Sequence, residues 1–250
     1  MIAAGRRAAV SRRATWAVVG WLLAILVIAA FSMLGTWQLG RQHDKQATLD
    51  AVAATLAARN AQPLSVAADT ARAQGYDWAS GRGHFAEAPA VLLDNQQRDG
   101  RSGVRAYRVF IPDAGTPLLV ELGWLPVPGD RSMPEVPRPH GEIDVAGMLS
   151  PPPSLGIGGT ALAPAPGNAD ALVAVGLAPS GLAAALGQPR LAARVLRLDP
   201  DLPLGYARDL DMLANTLPPE RHLGYAVQWF ALAAAMLVIA LILSFRRTRR

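Results

Sequence analysis

The chain has 250 residues, 51% of them hydrophobic, with a formal charge of +5 and a pI near 10.4. As an average that basicity would point to nucleic acid, but eight of the 24 lysines and arginines crowd the two ends. The other 16 lie among all 19 acidic residues, so the middle carries a net −3 and offers no case for nucleic-acid binding. There is no cysteine, which removes disulfides and thiolate metal ligands, and the six Met and four His are too scattered for copper delivery.

Arg6, Arg7, Arg12 and Arg13 precede an uncharged apolar run, Trp16 to Leu34. Its 19 residues reach roughly 28 Å as a helix, against a hydrocarbon core of about 30 Å. A removable signal peptide is the alternative, since Ala29 and Ala30 lie near its end, but the run exceeds the length of a signal core and a second such run closes the chain. From Arg41 to Arg59 the pattern continues as a polar-flanked helix ended by Asn60 and Pro63, with another helical stretch over Val66 to Gln74.

Strand signals follow over Trp78 to Phe85, Ala90 to Asn95, Val104 to Pro112 and Pro117 to Trp124, separated by Asp-Gly and similar turns that imply antiparallel hairpins. Arg131 to His140 holds three prolines in an extended connector, and Gly141 to Leu149 alternates as a further strand. Pro151 to Asn168, rich in Pro and Gly, reads as a loop. Leu172 to Leu186 resembles a short Ala-rich helix ending at Gly187, and Ala192 to Leu198 alternates as a last strand. Gly83, Gly123 and Gly141 fall at strand edges, where a bend or close backbone approach needs them. Trp37 and Trp124 read as packing or interface aromatics.

Tyr225 to Phe245 is the second apolar run, 21 residues reaching roughly 31 Å, followed by Arg246, Arg247, Arg249 and Arg250. Basic flanks favour the cytoplasmic side, so both ends are expected inside. The expected fold class is a membrane protein: a two-helix transmembrane hairpin bracketing one α+β domain with a mainly antiparallel sheet. The expected division is a basic tail over 1–14, a first transmembrane helix over 15–35, the domain over 36–222, a second transmembrane helix over 223–245, and a basic tail over 246–250.

No Ser, His and Asp constellation, phosphate-cradling glycine loop or His-x-x-x-His spacing is visible, so the chain is not expected to be an enzyme. His43, His84 and His140 are isolated. The informative segment is Pro218 to Ala233, where His222 enters the second span and Trp229 follows seven residues later, about 10 Å deeper on nearly the same helix face. One ligand can touch both. An imidazole there suits the axial position on haem iron, a deeper indole packs on a macrocycle, and Arg221 or Arg41 can pair with propionates at the water boundary. Interface anchoring is the other reading of the same four residue types and needs no metal. Gln228, deep in the span, is an amide that needs a partner.

The ordered set of motifs resembles the Surfeit-locus protein 1 family of cytochrome c oxidase assembly factors. It comprises Leu34-Gly35-Thr36-Trp37-Gln38-Leu39 with Arg41 and Lys45, Gly83-His84-Phe85, Leu92-Leu93-Asp94-Asn95, Gly103 to Pro112 with Tyr107, Gly123-Trp124-Leu125-Pro126, and Arg221-His222-Leu223-Gly224-Tyr225-Ala226 with Trp229-Phe230. The resemblance implies a bacterial inner-membrane protein with its large domain in the periplasm, assisting haem a insertion into the oxidase catalytic subunit. Partners would then be that subunit, haem a synthase and the lipid bilayer. In bacterial members the His and Trp matching His222 and Trp229 are implicated in haem a binding, with His222 as the iron ligand. One departure stands out: the family often has Arg before the Gly-Trp pair, where this chain has Leu122. A membrane-anchored scaffold that stabilises an oxidase-subunit intermediate without binding haem is the alternative function.

Overall fold

A computed structural model describes residues 2–153, 161–211 and 217–248, with side chains from 15 to 246 within those ranges. The middle of the Pro151 to Asn168 loop and most of the stretch from Asp209 to Asn215 lie outside the described residues, as does the end of the C-terminal tail. The chain divides into two compact units, one comprising Met1–Thr48 with Thr216–Arg250 and the other Leu49–Asn215.

The first unit is a pair of long helices. Helix α1 spans Ile2–Ala58, its last ten residues belonging to the second unit, and α3 spans Pro219–Thr248. Segments Thr15–Ala58 and Pro219–Arg246 are long and apolar enough to cross a membrane, and only 6% and 11% of their most apolar stretches are buried. Helices at the heart of a soluble core would be mostly buried, so these apolar surfaces face outward in a manner suited to lipid.

The second unit is built on strands β1 (Gln62–Pro63), β2 (Asp77–Phe85), β3 (Ala90–Arg98), β4 (Arg101–Pro112), β5 (Leu118–Pro126), β6 (Ile143–Ser150), β7 (Leu162–Ala165), β8 (Asn168–Ala174) and β9 (Val195–Leu198). Neighbours run β1-β2-β6-β9-β5-β4-β3-β8-β7, and β2 also pairs with β4 through Gly83, His84 and Phe85 against Pro112, Ile111 and Phe110. That extra pairing closes β2, β6, β9, β5 and β4 into a ring, which removes their free edges. Three pairings are parallel, β1 with β2, β3 with β8 and β5 with β9, and the other six are antiparallel, so the sheet is mixed.

Three local expectations are overturned. Leu172 to Leu186 is not a helix: Asn168–Ala174 is β8, and helical geometry is confined to α2 (Pro179–Leu182). Alanine's helix preference is worth less than the four-residue parallel ladder of Ala171, Leu172, Val173 and Ala174 against β3. Part of the expected loop is strand as well, since β7 pairs back on β8. The expected helix over Val66 to Gln74 is two 3₁₀ turns, Leu64–Ala68 and Thr70–Arg72.

The ring is filled by Phe85, Phe110, Leu118, Val120, Leu122, Val145, Leu149, Leu196 and Leu198, all buried, with the Phe85 and Phe110 rings edge-to-face at 5.2 Å. Leu122, where the family often carries Arg, is one of these interior residues. Gly123 is required by backbone conformation, with φ +123°, and by space, since a Cβ would lie 2.8 Å from the Tyr206 carbonyl oxygen. On the same strand face as Ala106 and Phe110, Arg108 is buried and donates from Nε to Val136 O at 3.0 Å and from Nη1 to Ala88 O at 2.8 Å, and it also bonds Asp170 at 2.6 Å. Its guanidinium closes backbone groups that would otherwise be buried unpaired.

Two outcomes test this arrangement. Arg108→Ala strands two buried carbonyls and should cost about 3 kcal/mol in denaturant unfolding of the full chain, whereas Arg138→Ala, which breaks an ion pair between Arg138 and the exposed Glu87, should be close to neutral. Burial, with the Glu121 charge adding to it, pushes the fully buried Tyr107 phenol well above its ordinary value. Its neutral form is therefore held in the folded state: the contribution is complete below the ordinary tyrosine value of about 10 and is lost as pH rises through the folded-state value. In an alkaline absorbance titration, the Tyr107 phenolate should emerge only together with unfolding, and Tyr107→Phe should remove that step.

Candidate haem-binding site on the helix pair

Within the first unit, burial along both helices repeats with alternating steps of four and three. On α1 the covered positions include Ala17, Trp21, Ala24, Ile28, Phe31, Gly35 and Gln38, flanked by the half-buried Val27, Ser32 and Leu39; on α3 they include His222, Ala226, Trp229, Ala233, Met236 and Ala240. A 3.5-residue period is the seam of a two-helix coiled coil, in which each helix inserts side chains between those of the other. Small and large residues alternate along it. Ala226 and Ala233 leave room beside Trp229, and Gly35 gives the Phe230 ring its place, because a Cβ there would meet ring carbons at 2.8 Å.

This seam positions the candidate residues. His222 is 8% exposed, and its Nδ1 lies 2.7 Å from the Gln38 side-chain oxygen. An amide oxygen only accepts, so Nδ1 carries the proton and Nε2 presents its lone pair. Nε2 is buried and has no hydrogen-bond partner. An orphaned, unprotonated imidazole nitrogen whose opposite edge is oriented by a second residue is the arrangement of a metal-ligating histidine. One turn pair deeper, the Trp229 ring stacks at 37° on Phe31 with centroids 5.5 Å apart. Towards the Trp16 end an open apolar groove of about 280 Å³ runs along the pair, with Trp16, Ala17, Gly20, Ala24, Met236 and Ala240 in its lining.

The four residues singled out from sequence are thus placed unequally. His222 and Trp229 share the seam face. Arg221 and Arg41 are exposed near the His222 end, Arg41 in a loose contact with Asp44 at 3.9 Å, and neither touches the imidazole through a hydrogen bond. Lys45 reaches the Leu217 carbonyl and ties the two helices beyond the histidine. Trp37 is exposed, and so is Gln228. The sequence alone assigns Gln38 no role; the structure places it half-buried against His222, while Trp37 beside it is exposed. Among the described residues, no three His, Cys, Asp or Glu side chains gather as a polydentate metal site.

The described residues thus comprise a ring-closed β-domain and a pair of long apolar helices that carries one buried, oriented imidazole. The SURF1 family model matches residues 25–234, and the chain belongs to that family, known for cytochrome oxidase assembly. A comparison with curated proteins found no match.

The chain's lack of cysteine makes the pairing directly testable. Gln38→Cys with His222→Cys should be joined within one chain by a short bifunctional thiol cross-linker in the otherwise cysteine-free protein, detected as a gel shift, whereas Trp37→Cys with His222→Cys should react far less.

Proposed function

We propose that the chain is an assembly factor for haem-copper cytochrome c oxidase that holds haem a at the His222 end of the helix pair and passes it to the oxidase catalytic subunit. The observation that carries this reading is the buried His222 imidazole with Nδ1 bonded to Gln38 and Nε2 unpartnered. Family membership supports the oxidase as the destination. His222 would ligate iron through Nε2, Trp229 with Phe31 would flank the macrocycle, and Arg221 and Arg41 would meet the propionates. The bound haem a supplies only a redox-active macrocycle in transit; the protein turns over no substrate. A single strong protein ligand leaves the exchange easy, as transfer requires. In this reading the helices cross a bacterial inner membrane with both ends in the cytoplasm and the β-domain in the periplasm, and haem a synthase is the supplying partner.

A second reading has its own observation. Trp229 is already packed on Phe31, a role that holds two helices together without any ligand. On that reading the chain is a membrane-anchored scaffold for an oxidase-subunit intermediate.

Purification from cells that make haem a separates the two. The wild-type protein should carry a haem a absorption spectrum and His222→Ala should lose it, while Gln38→Leu, which leaves Nε2 in place but removes the orienting acceptor, should weaken haem retention about 10- to 100-fold. A haem-free wild type that still cross-links to the apo-subunit would overturn the first reading in favour of the scaffold.

A further inference from the structure

Strand alternation in the second unit places a polar band on the outside of the ring. Val104, Ala106, Val120, Leu122, Leu149, Leu196 and Leu198 point into its interior, so Arg105, Glu121, Ser150 and Arg197, which sit between or beside them, point away. Glu121 is the hub. Its carboxylate accepts from Arg105 Nη1 at 2.7 Å and from the Tyr107 hydroxyl at 3.1 Å, and Arg197 Nε lies 3.3 Å away as an ion-pair contact. Arg197 then reaches outward, donating to the carbonyls of Asp209 and Asp211 at 3.1 Å each.

These side chains wall a recess of about 210 Å³, with Tyr76 and Pro151 on its rim. At about 30 Å³ per water that volume holds roughly seven waters, enough for the end of a small molecule or a chain terminus. Two features of the wall are unspent. Ser150 is 1% exposed and its hydroxyl has no hydrogen-bond partner. Arg105 has five N–H donors, and among the described residues it bonds only through Nη1 to Glu121, although its side chain is just 14% exposed. The Ser150 hydroxyl is the buried donor without a partner, which is costly, and the remaining Arg105 donors line the same recess. In the lining Glu121 and Asp211 offset Arg105 and Arg197, which disfavours a dianion, whereas a planar, singly charged acceptor matches the guanidinium fork.

We propose that this recess is a binding site for a carboxylate, gripped by the unspent donors of Arg105 and the Ser150 hydroxyl. The carboxylate belongs either to a small aliphatic acid or to the C-terminus of a polypeptide, which share this chemistry. The site is independent of His222 and stands or falls without haem.

The experiment is isothermal titration of the full-length, detergent-solubilised protein with sodium propionate, a short peptide with a free C-terminus, the same peptide amidated, and inorganic phosphate. Saturable binding of propionate supports the small acid, binding of the free-acid peptide without propionate supports a chain terminus, and in either case the amidated peptide and phosphate should bind at least tenfold more weakly. Ser150→Ala, which preserves buried volume and hence the fold, should weaken the carboxylate about fivefold, and Arg105→Lys, which keeps the charge towards Glu121 but loses the fork, should abolish it. Absence of saturable carboxylate binding, preference for phosphate, or unchanged binding in both variants would overturn the proposal.

Discussion

A histidine placed in a seam between two helices must give its ring nitrogens something to do, and here only one of them is satisfied. The bond between His222 and Gln38 decides which nitrogen keeps the proton, which way the ring faces and which atom is left open. Everything else in the first unit serves that geometry. The alanines of α3 and Gly35 of α1 bring the backbones close enough for an amide on one helix to reach an imidazole on the other, and the stacked Phe31 and Trp229 lock the rotation of both helices one layer further along. Small residues allow this approach where hydrophobic burial between helices contributes little, because the surrounding lipid is as apolar as the side chains.

The second unit solves a different problem. A nine-stranded sheet with short strands would expose long unpaired edges, and the contact of β2 with β4 converts five of those strands into a ring with a mainly apolar filling. Alternation then puts Arg105, Glu121 and Arg197 on its outer face. There Glu121 gathers two guanidiniums and a phenol, whereas on the opposite face of β4 the buried Arg108 performs a similar service for the carbonyls of Val136 and Ala88. Polar groups that cannot enter the core are thus concentrated, and concentration leaves some of them with capacity to spare.

Much of this is written in local pattern and some is not. Strands β2 to β6 and β9 are recognisable from alternation and turn residues, with ends within a few positions, because each lies between strong breakers. The Ala-rich stretch after residue 168 misleads, since its strand character comes from a ladder against β3 that no local preference records. The seven-residue step from His222 to Trp229 identifies their shared face, but the partner of His222 lies 184 positions earlier and becomes visible only when the burial period of α1 is compared with that of α3. Arg105, Glu121, Ser150 and Arg197 are joined by strand order alone, which is why no motif announces them.

The helix seam is unevenly filled. Rings and a hydrogen bond occupy the half that holds His222, whereas an open apolar groove runs beside Met236 in the half that holds Trp16. Along that groove the helices make fewer dispersion contacts with each other, so more of the cohesion of the pair resides in its other half. The two helices are in effect clamped at one end and slack at the other, and the slack end can absorb tilt or a change in bilayer thickness while the clamp keeps the imidazole aimed.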